Sequence, residues 1–216
     1  MKKIINELII RGTIINLNIS NKIASARVAV EGSTGVSNYP LVIFYDPSLL
    51  TGYNVKDRVV IKGHTQNYPI PNQLNERRTT IQTSFICDTI QHARRMLLDF
   101  FKEDDVPNIE GAAANDINTV IWAGKVKSVT TFDEKKHVSV LRVGNEKKDH
   151  RMECDFSCFE RIHTYAVKLK PEDDVIIVGK ISTSSKTKGK KKLYYQNVIA
   201  MDIYSPNVEE RKNIIA

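Results

Sequence analysis

The 216 residues carry 41% apolar and 26% charged side chains with 10 glycines and 7 prolines, the composition of a folded globular chain and not of a disordered tail. Lys and Arg number 32 against 25 Asp and Glu, a formal charge of +7, which suits a polyanionic partner without requiring one. The excess is spread along the chain, 13 basic and 10 acidic residues up to Asp105 and 19 and 15 beyond it, so neither part is a basic arm.

In chain order the first candidate strand is Leu8-Ile9-Ile10-Arg11-Gly12. The connector Pro47 to Tyr53 is too short for more than one turn of helix. A second run, Asp57-Arg58-Val59-Val60-Ile61-Lys62-Gly63, leads into a long loop stiffened by Pro69 and Pro71. Thr80 to Asp88 is again β-rich. His92 to Phe101 fits a short helix whose Met96, Leu97, Phe100 and Phe101 need burial against a barrel or between subunits. Glu103 to Asn115, acidic and then rich in small residues, reads as a linker.

The remaining chain carries five strand candidates, Thr119 to Thr130, His137 to Val143, Arg151 to Phe156, Val175 to Thr183 and Leu193 to Tyr204. Phe159, Ile162, Ala166 and Leu169 follow helical spacing between the third and fourth, and Pro171 ends that helix.

The halves also repeat. Leu8 to Gly12 answers Val120-Ile121-Trp122-Ala123-Gly124, and Asp57 to Gly63 answers Asp173-Asp174-Val175-Ile176-Ile177-Val178-Gly179. A third block matches Gln82 to Gln196 and Asp88 to Asp202. Five strands with a helix between the third and fourth is the order of an OB-fold. The reading is an all-β chain of two tandem five-stranded Greek-key OB barrels, each with little or one short helix. The first occupies 1–102, a linker 103–116, the second barrel 117–205 and a short tail 206–216.

Three cysteines, Cys87, Cys154 and Cys158, leave no second pair for a four-ligand zinc set and read as reduced cytoplasmic thiols. Glu7 interrupts the start before a signal-length apolar run, and no stretch approaches the roughly 18 residues of a membrane span. A cytoplasmic protein with no membrane partner is expected. Phosphate-cradling glycine loops, paired metal-binding histidines and nucleophile signatures are absent, so neither an enzyme nor a cofactor is expected. Cys154 and Cys158 with His150 and His163 make a poor zinc set, since their strand and helix positions favour structural roles.

The second half resembles the bacterial single-stranded DNA-binding protein family in Asn118-Thr119-Val120-Ile121-Trp122-Ala123-Gly124, in Leu169-Lys170-Pro171 through Gly179, and in Tyr194 to Val198. The likeness spans about Asn118 to Tyr204, and the first half joins it through its likeness to the second. Two OB-folds in one chain look like the arrangement by which some members build four barrels from two subunits, which implies a homodimer. The resemblance further implies single-stranded DNA held along a basic groove with bases stacked on aromatic rings. It implies replication or recombination proteins as partners. Members of that family typically end in a long tail with an acidic, aromatic tip. Here Val208 to Ala216 is short and mixed in charge, which puts recruitment through such a tip in doubt.

Lys186, Lys188, Lys190, Lys191 and Lys192 gather around Gly189 between the last two strands, the loop that borders the ligand groove in OB-folds. They read as a flexible basic finger tracking phosphates, against the plainer reading of a solvated hairpin tip. On the final strand Leu193, Tyr195, Ile199, Met201 and Ile203 share one face and Tyr194, Gln196 and Val198 the other, which leaves Tyr194 as the exposed aromatic. Tyr194 also matches a tyrosine that family members often carry there.

By resemblance Phe156 and Arg151 join the site, and Lys125 and Lys180, each following a block glycine, add cations. Phe159 reads equally as helix core. Trp122 reads as barrel core, and Phe132 and His137 flank a polar hairpin. In the first barrel Tyr45, Lys62, His64, Tyr68, Arg77 and Arg78 are the counterparts. Tyr68 with Arg77 and Arg78 reads equally as a second nucleic-acid contact or as a loop that binds nothing.

The leading expectation is therefore a non-enzymatic protein that coats single-stranded DNA in replication, recombination or mobile-element transfer. RNA stays open as a ligand, because stacking and phosphate contacts do not read the sugar. The rival expectation is an assembly protein of a replication complex whose grooves are vestigial.

Overall fold

The computed structural model describes residues 5–32, 35, 37–72, 75–93, 116–133, 135–145, 152–188 and 191–208, with backbone alone at 69–72, 75–81, 133, 186, 188 and 191–194. The strands are β1 (Ile5–Ile19), β2 (Ala24–Glu31), β3 (Ser37–Asn38), β4 (Leu41–Phe44), β5 (Arg58–Asn72), β6 (Asn75–His92), β7 (Ile117–Asp133), β8 (Val138–Gly144), β9 (Glu153–Phe159), β10 (Asp174–Lys188) and β11 (Lys191–Tyr204). Helix α1 spans Glu160–Ala166, and a single 3-10 turn, Pro47–Leu50, takes its place in the first half.

Alternation drives the strands. In β2 Ala24, Ala26, Val28 and Val30 are buried while the residues between them are partly exposed, the period-2 pattern of a strand with one face on a core.

Two rings close. β1 pairs with β2, β2 with β4, β4 with β6 in parallel, β6 with β5, and β5 with β1. The second ring runs β7, β8, β9, β11, β10 and back to β7, again with one parallel step, β9 to β11. Each is a closed five-stranded Greek-key barrel with OB strand order.

The registers repeat residue for residue. Leu8 faces Gly63 and Gly12 faces Val59; Val120 faces Gly179 and Gly124 faces Val175. At Gly63 an added Cβ would collide with the backbone carbonyl of Ile86, so the repeated glycines stand where coiled strands bring two backbones together.

The third sequence block needs a correction of one residue. Gly63 faces Cys87 with Asp88 bulged out, and Gly179 faces Ala200 with Met201 bulged out. The structural counterpart of Asp88 is therefore Met201 and not Asp202.

The barrels join through β1 and β7, antiparallel from Ile5 opposite Ala123 to Arg11 opposite Ile117. At the centre Leu8 faces Val120, its own counterpart in the repeat, so the seam has the self-complementary form of a two-fold interface. It carries buried polar bonds. Trp122 Nε1–H donates to Thr65 Oγ1 across the barrels at 2.7 Å, and Thr65 Oγ1–H donates to Asn6 Oδ1 at 3.1 Å. Asn6 clasps the backbone of Thr65 through both its amide atoms, and Asn118 clasps Ile181 in the same way. Trp122 is fully buried, as expected, but it fills the junction as well as its own barrel.

His92 ends β6 and Ala93 is helical, one residue after the expected start; residues 94–115, with the rest of that segment and most of the expected linker, and the tail from Glu209 lie outside the described residues. No helix among the described residues is long and apolar enough to cross a membrane.

Candidate nucleic-acid interface

The region between β10 and β11 is a ribbon and not a loop. The ladder continues from Gly179 opposite Ala200 to Lys188 opposite Lys191, so the paired strands run up to Gly189 and Lys190, which lie outside the described residues. The β-branched Thr183 and Thr187 suit a paired strand. The side chains of Lys186, Lys188, Lys191 and Lys192 are not described.

The same holds in the first barrel. Tyr68 faces Gln82, Pro69 faces Ile81 and Pro71 faces Thr79, so the expected loop is an arm built like the other. Two prolines two residues apart place both missing N–H donors on one edge of the strand, which lets pairing continue on the other edge. The next pair is Asn72 with Asn75, so Glu76, Arg77 and Arg78 fall within a register shift of β6. The Tyr68 hydroxyl, half-buried, donates to Gln66 Oε1 at 2.9 Å.

Along β11 the expected faces are inverted. Val198 and Ala200 are buried whereas Tyr195 is 50% exposed, and the bulge at Met201 then flips the phase so that Ile203 turns inward. Tyr195, which the sequence pattern assigns to the core face, is thus an exposed aromatic of this arm. The Tyr194 side chain is not among those described.

The arm of the second barrel also braces the first. Thr183 Oγ1 accepts the N–H of Tyr39, Gln196 Oε1 accepts that of Leu41, and Asn38 Oδ1 accepts that of Thr183, at 2.8 to 3.1 Å. Tyr39 is partly exposed beside this contact, and its carbonyl accepts a bond from Arg27 Nη1 at 2.8 Å. Sequence offers no signal for Tyr39, because its position depends on contacts between the barrels.

A second cluster lies at the turn between β7 and β8. Phe132, bulged out of register, is 69% exposed, and Lys135 and Lys136 are exposed in the turn. Phe159, also exposed, faces Val138, which itself faces Asp133. Phe159 is therefore surface and not helix core. Exposed aromatic rings and lysines are the side-chain types that base stacking and phosphate neutralisation use, and in this barrel both types occur on the 1–2 and 4–5 connections.

Other predicted residues go elsewhere. Phe156 is a correction: it is fully buried with Cys154 and Cys158 on the inner face of β9, packed beside Gly179 and Val198, and no base reaches it. Lys125 is engaged locally, 3.8 Å from Glu172 and from Asp174. Lys62 and Lys180 are exposed on the outer face of the sheet that crosses the seam, while Arg151 lies outside the described residues. His64 pairs with Asp88 at 3.0 Å, and Tyr45 is exposed after β4. Arg142 is held by Asp155 through two bonds of 2.7 and 2.8 Å, which pushes its pKa up.

The thiols are inert by environment. Burial, and then the charge of Asp88, pushes Cys87 up to about 12. Burial likewise pushes Cys158 up to about 12 and raises Cys154, so the thiolate that metal binding needs is disfavoured. Among the described residues no group of three or more His, Cys, Asp and Glu side chains is placed to hold a metal ion.

Comparison with known proteins places the fold. No protein-family profile matches the chain, and no curated protein sequence does. Wild-type single-stranded DNA-binding protein from Thermus aquaticus superposes with a TM-score of 0.60 at 12% identity, covering 94% of either chain. A deletion mutant of the same protein, which also carries a point substitution, gives 0.60 at 13% identity over 95% of this chain and 96% of its own. The mitochondrial single-stranded DNA-binding protein of S. cerevisiae matches 40% of this chain at 16% identity, with a TM-score of 0.33. At these identities the likeness to the Thermus protein establishes a shared fold over nearly the whole chain.

Proposed function

We propose that this protein binds single-stranded DNA without base specificity and acts as a coating protein, not an enzyme. The observation that carries the reading is the placement of exposed Tyr195 and Phe132 on the two connections of the second barrel that also carry its lysine runs. Lys186, Lys188, Lys190, Lys191 and Lys192 neutralise phosphates along the β10–β11 arm, and Arg77 and Arg78 do the same on the arm of the first barrel. Tyr194 and Tyr68 are further stacking candidates. The fold shared with the Thermus single-stranded DNA-binding protein supports the reading. Replication, recombination or mobile-element transfer are the processes such coating serves.

The outer sheet face supports a homodimer. Ile176 faces Tyr204 across the β10–β11 ladder, Val178 lies two residues along the strand on the same face, and both are exposed with Met201 and Tyr204. A second copy covering these residues brings four barrels together.

The test is titration with fluorescent dT oligomers of increasing length at two salt concentrations, with duplex DNA and RNA as competitors. Tight, length-dependent, salt-sensitive binding competed by single-stranded DNA alone supports the reading. Replacing Lys188, Lys190, Lys191 and Lys192 by Ala then flattens the salt dependence. Absence of binding at low salt rejects it and leaves assembly as the role. Sedimentation of the wild type and of Ile176→Glu tests the dimer.

A further inference from the structure

His137 and His163 come from different elements, yet their rings stand with centroids 5.6 Å apart at an interplanar angle of 59°. The backbone holds them there. His137 leaves the β7–β8 turn in left-handed conformation, φ 52°, and its carbonyl accepts the N–H of Glu160 at 3.1 Å. Glu160, itself left-handed at φ 47°, opens helix α1, and that helix turns His163 inward. His163 is buried, and its Nδ1 is shielded from solvent without a hydrogen-bond partner. A buried polar atom of this kind requires an explanation.

We propose that His137 and His163 together bind a divalent transition-metal ion and clip the β7–β8 hairpin to helix α1. Imidazole suits zinc, nickel and copper. With metal–nitrogen bonds of about 2.0–2.1 Å, two imidazoles on one ion place their centroids on the order of 5 to 6 Å apart, as these are. The ion gives the orphaned Nδ1 a partner, and water fills the remaining positions, since no third His, Cys, Asp or Glu completes the set among the described residues. The other described histidines are occupied differently, His64 with Asp88 and His92 stacked on Tyr53. The clip is independent of the DNA-binding reading, although it fixes the hairpin that displays Phe132.

The experiment is calorimetric titration of untagged, metal-stripped protein with Ni²⁺, alongside thermal melting with and without the ion. The expected result is uptake of one ion per chain and a raised melting temperature. His137 is exposed, so His137→Gln keeps the fold and abolishes both effects, whereas His64→Gln leaves them intact. Lack of uptake at millimolar Ni²⁺ overturns the proposal. So does uptake undiminished in His137→Gln.

Discussion

Trp122→Phe tests whether the two barrels are coupled through their junction. The indole is fully buried, and its N–H is bonded at 2.7 Å to Thr65 Oγ1, a buried atom that also donates to Asn6. Phenylalanine removes the donor and one ring. The Thr65 oxygen loses an acceptor bond where water does not reach, which costs about 1–3 kcal/mol. The lost ring adds a cavity cost of about 1–2 kcal/mol, part of the range for larger truncations, for a total of about 2–5 kcal/mol. Urea unfolding followed by far-UV circular dichroism measures it. Thr65→Val removes the same bond from the other barrel, leaving the indole N–H unpaired. The double variant should be less destabilised than the sum of the two by about 1 kcal/mol or more, the signature of neighbours in contact. Additivity within about 0.5 kcal/mol would refute the claim that this bond links the barrels.

Gly63→Ala drives a Cβ into the Ile86 carbonyl, which belongs to a paired strand and has little room to shift. It should lower stability by about 1–3 kcal/mol, more than Gly179→Ala, whose Cβ would lie 2.8 Å from the Ile199 oxygen; urea midpoints of the two variants decide. The buried thiols make stability fall in alkali. With Cys87 and Cys158 raised to about 12, the unfolded chain loses those protons first, so stability holds below about pH 9 and declines as pH rises toward 12. Cys158→Ala should flatten part of that decline in urea midpoints measured between pH 8 and about 11, and an unchanged slope would count against it. Phe132→Ala and Tyr195→Ala should each weaken dT binding by about 1–3 kcal/mol if the rings stack bases, while Tyr45→Ala, away from both connections, should leave it unchanged.

The barrels are legible in the sequence because closure forces local chemistry. β-Branched runs ended by Gly12, Gly63, Gly124 and Gly179 recur because each barrel brings backbones together at the same points, and helix α1 shows in its apolar spacing. The arms are not legible. Their Ser, Thr, Lys and Pro residues carry no apolar alternation, so strands that continue to Lys188 and Asn72 read as loops. One bulge at Met201 is enough to invert the pattern of β11, since a single extra residue reverses which side chains face the core. The exposure of Tyr195 follows from that phase. The bonds from Trp122 to Thr65 and from Tyr39 to Thr183 join residues far apart in sequence and leave no periodic trace.

Duplication within one chain frees its halves to differ, and the outer sheet face records the difference. In a two-fold homodimer of identical barrels every exposed apolar residue appears twice. Here the counterparts of Ile176 and Val178 are Val60 and Lys62, and those of Met201 and Tyr204 are Asp88 and Gln91. Val60 is buried and the other three are polar, so among the described residues the apolar patch has no copy on the first barrel. A partner chain meets a directional surface, and a dimer axis through it places second barrel against second barrel. Ile176→Glu then acts on that contact alone, while charge reversal at the counterpart of Val178, Lys62→Glu, leaves subunit number untouched. Sedimentation of the two variants separates a dimer built on the apolar half from one built on the whole sheet, in which both substitutions would act.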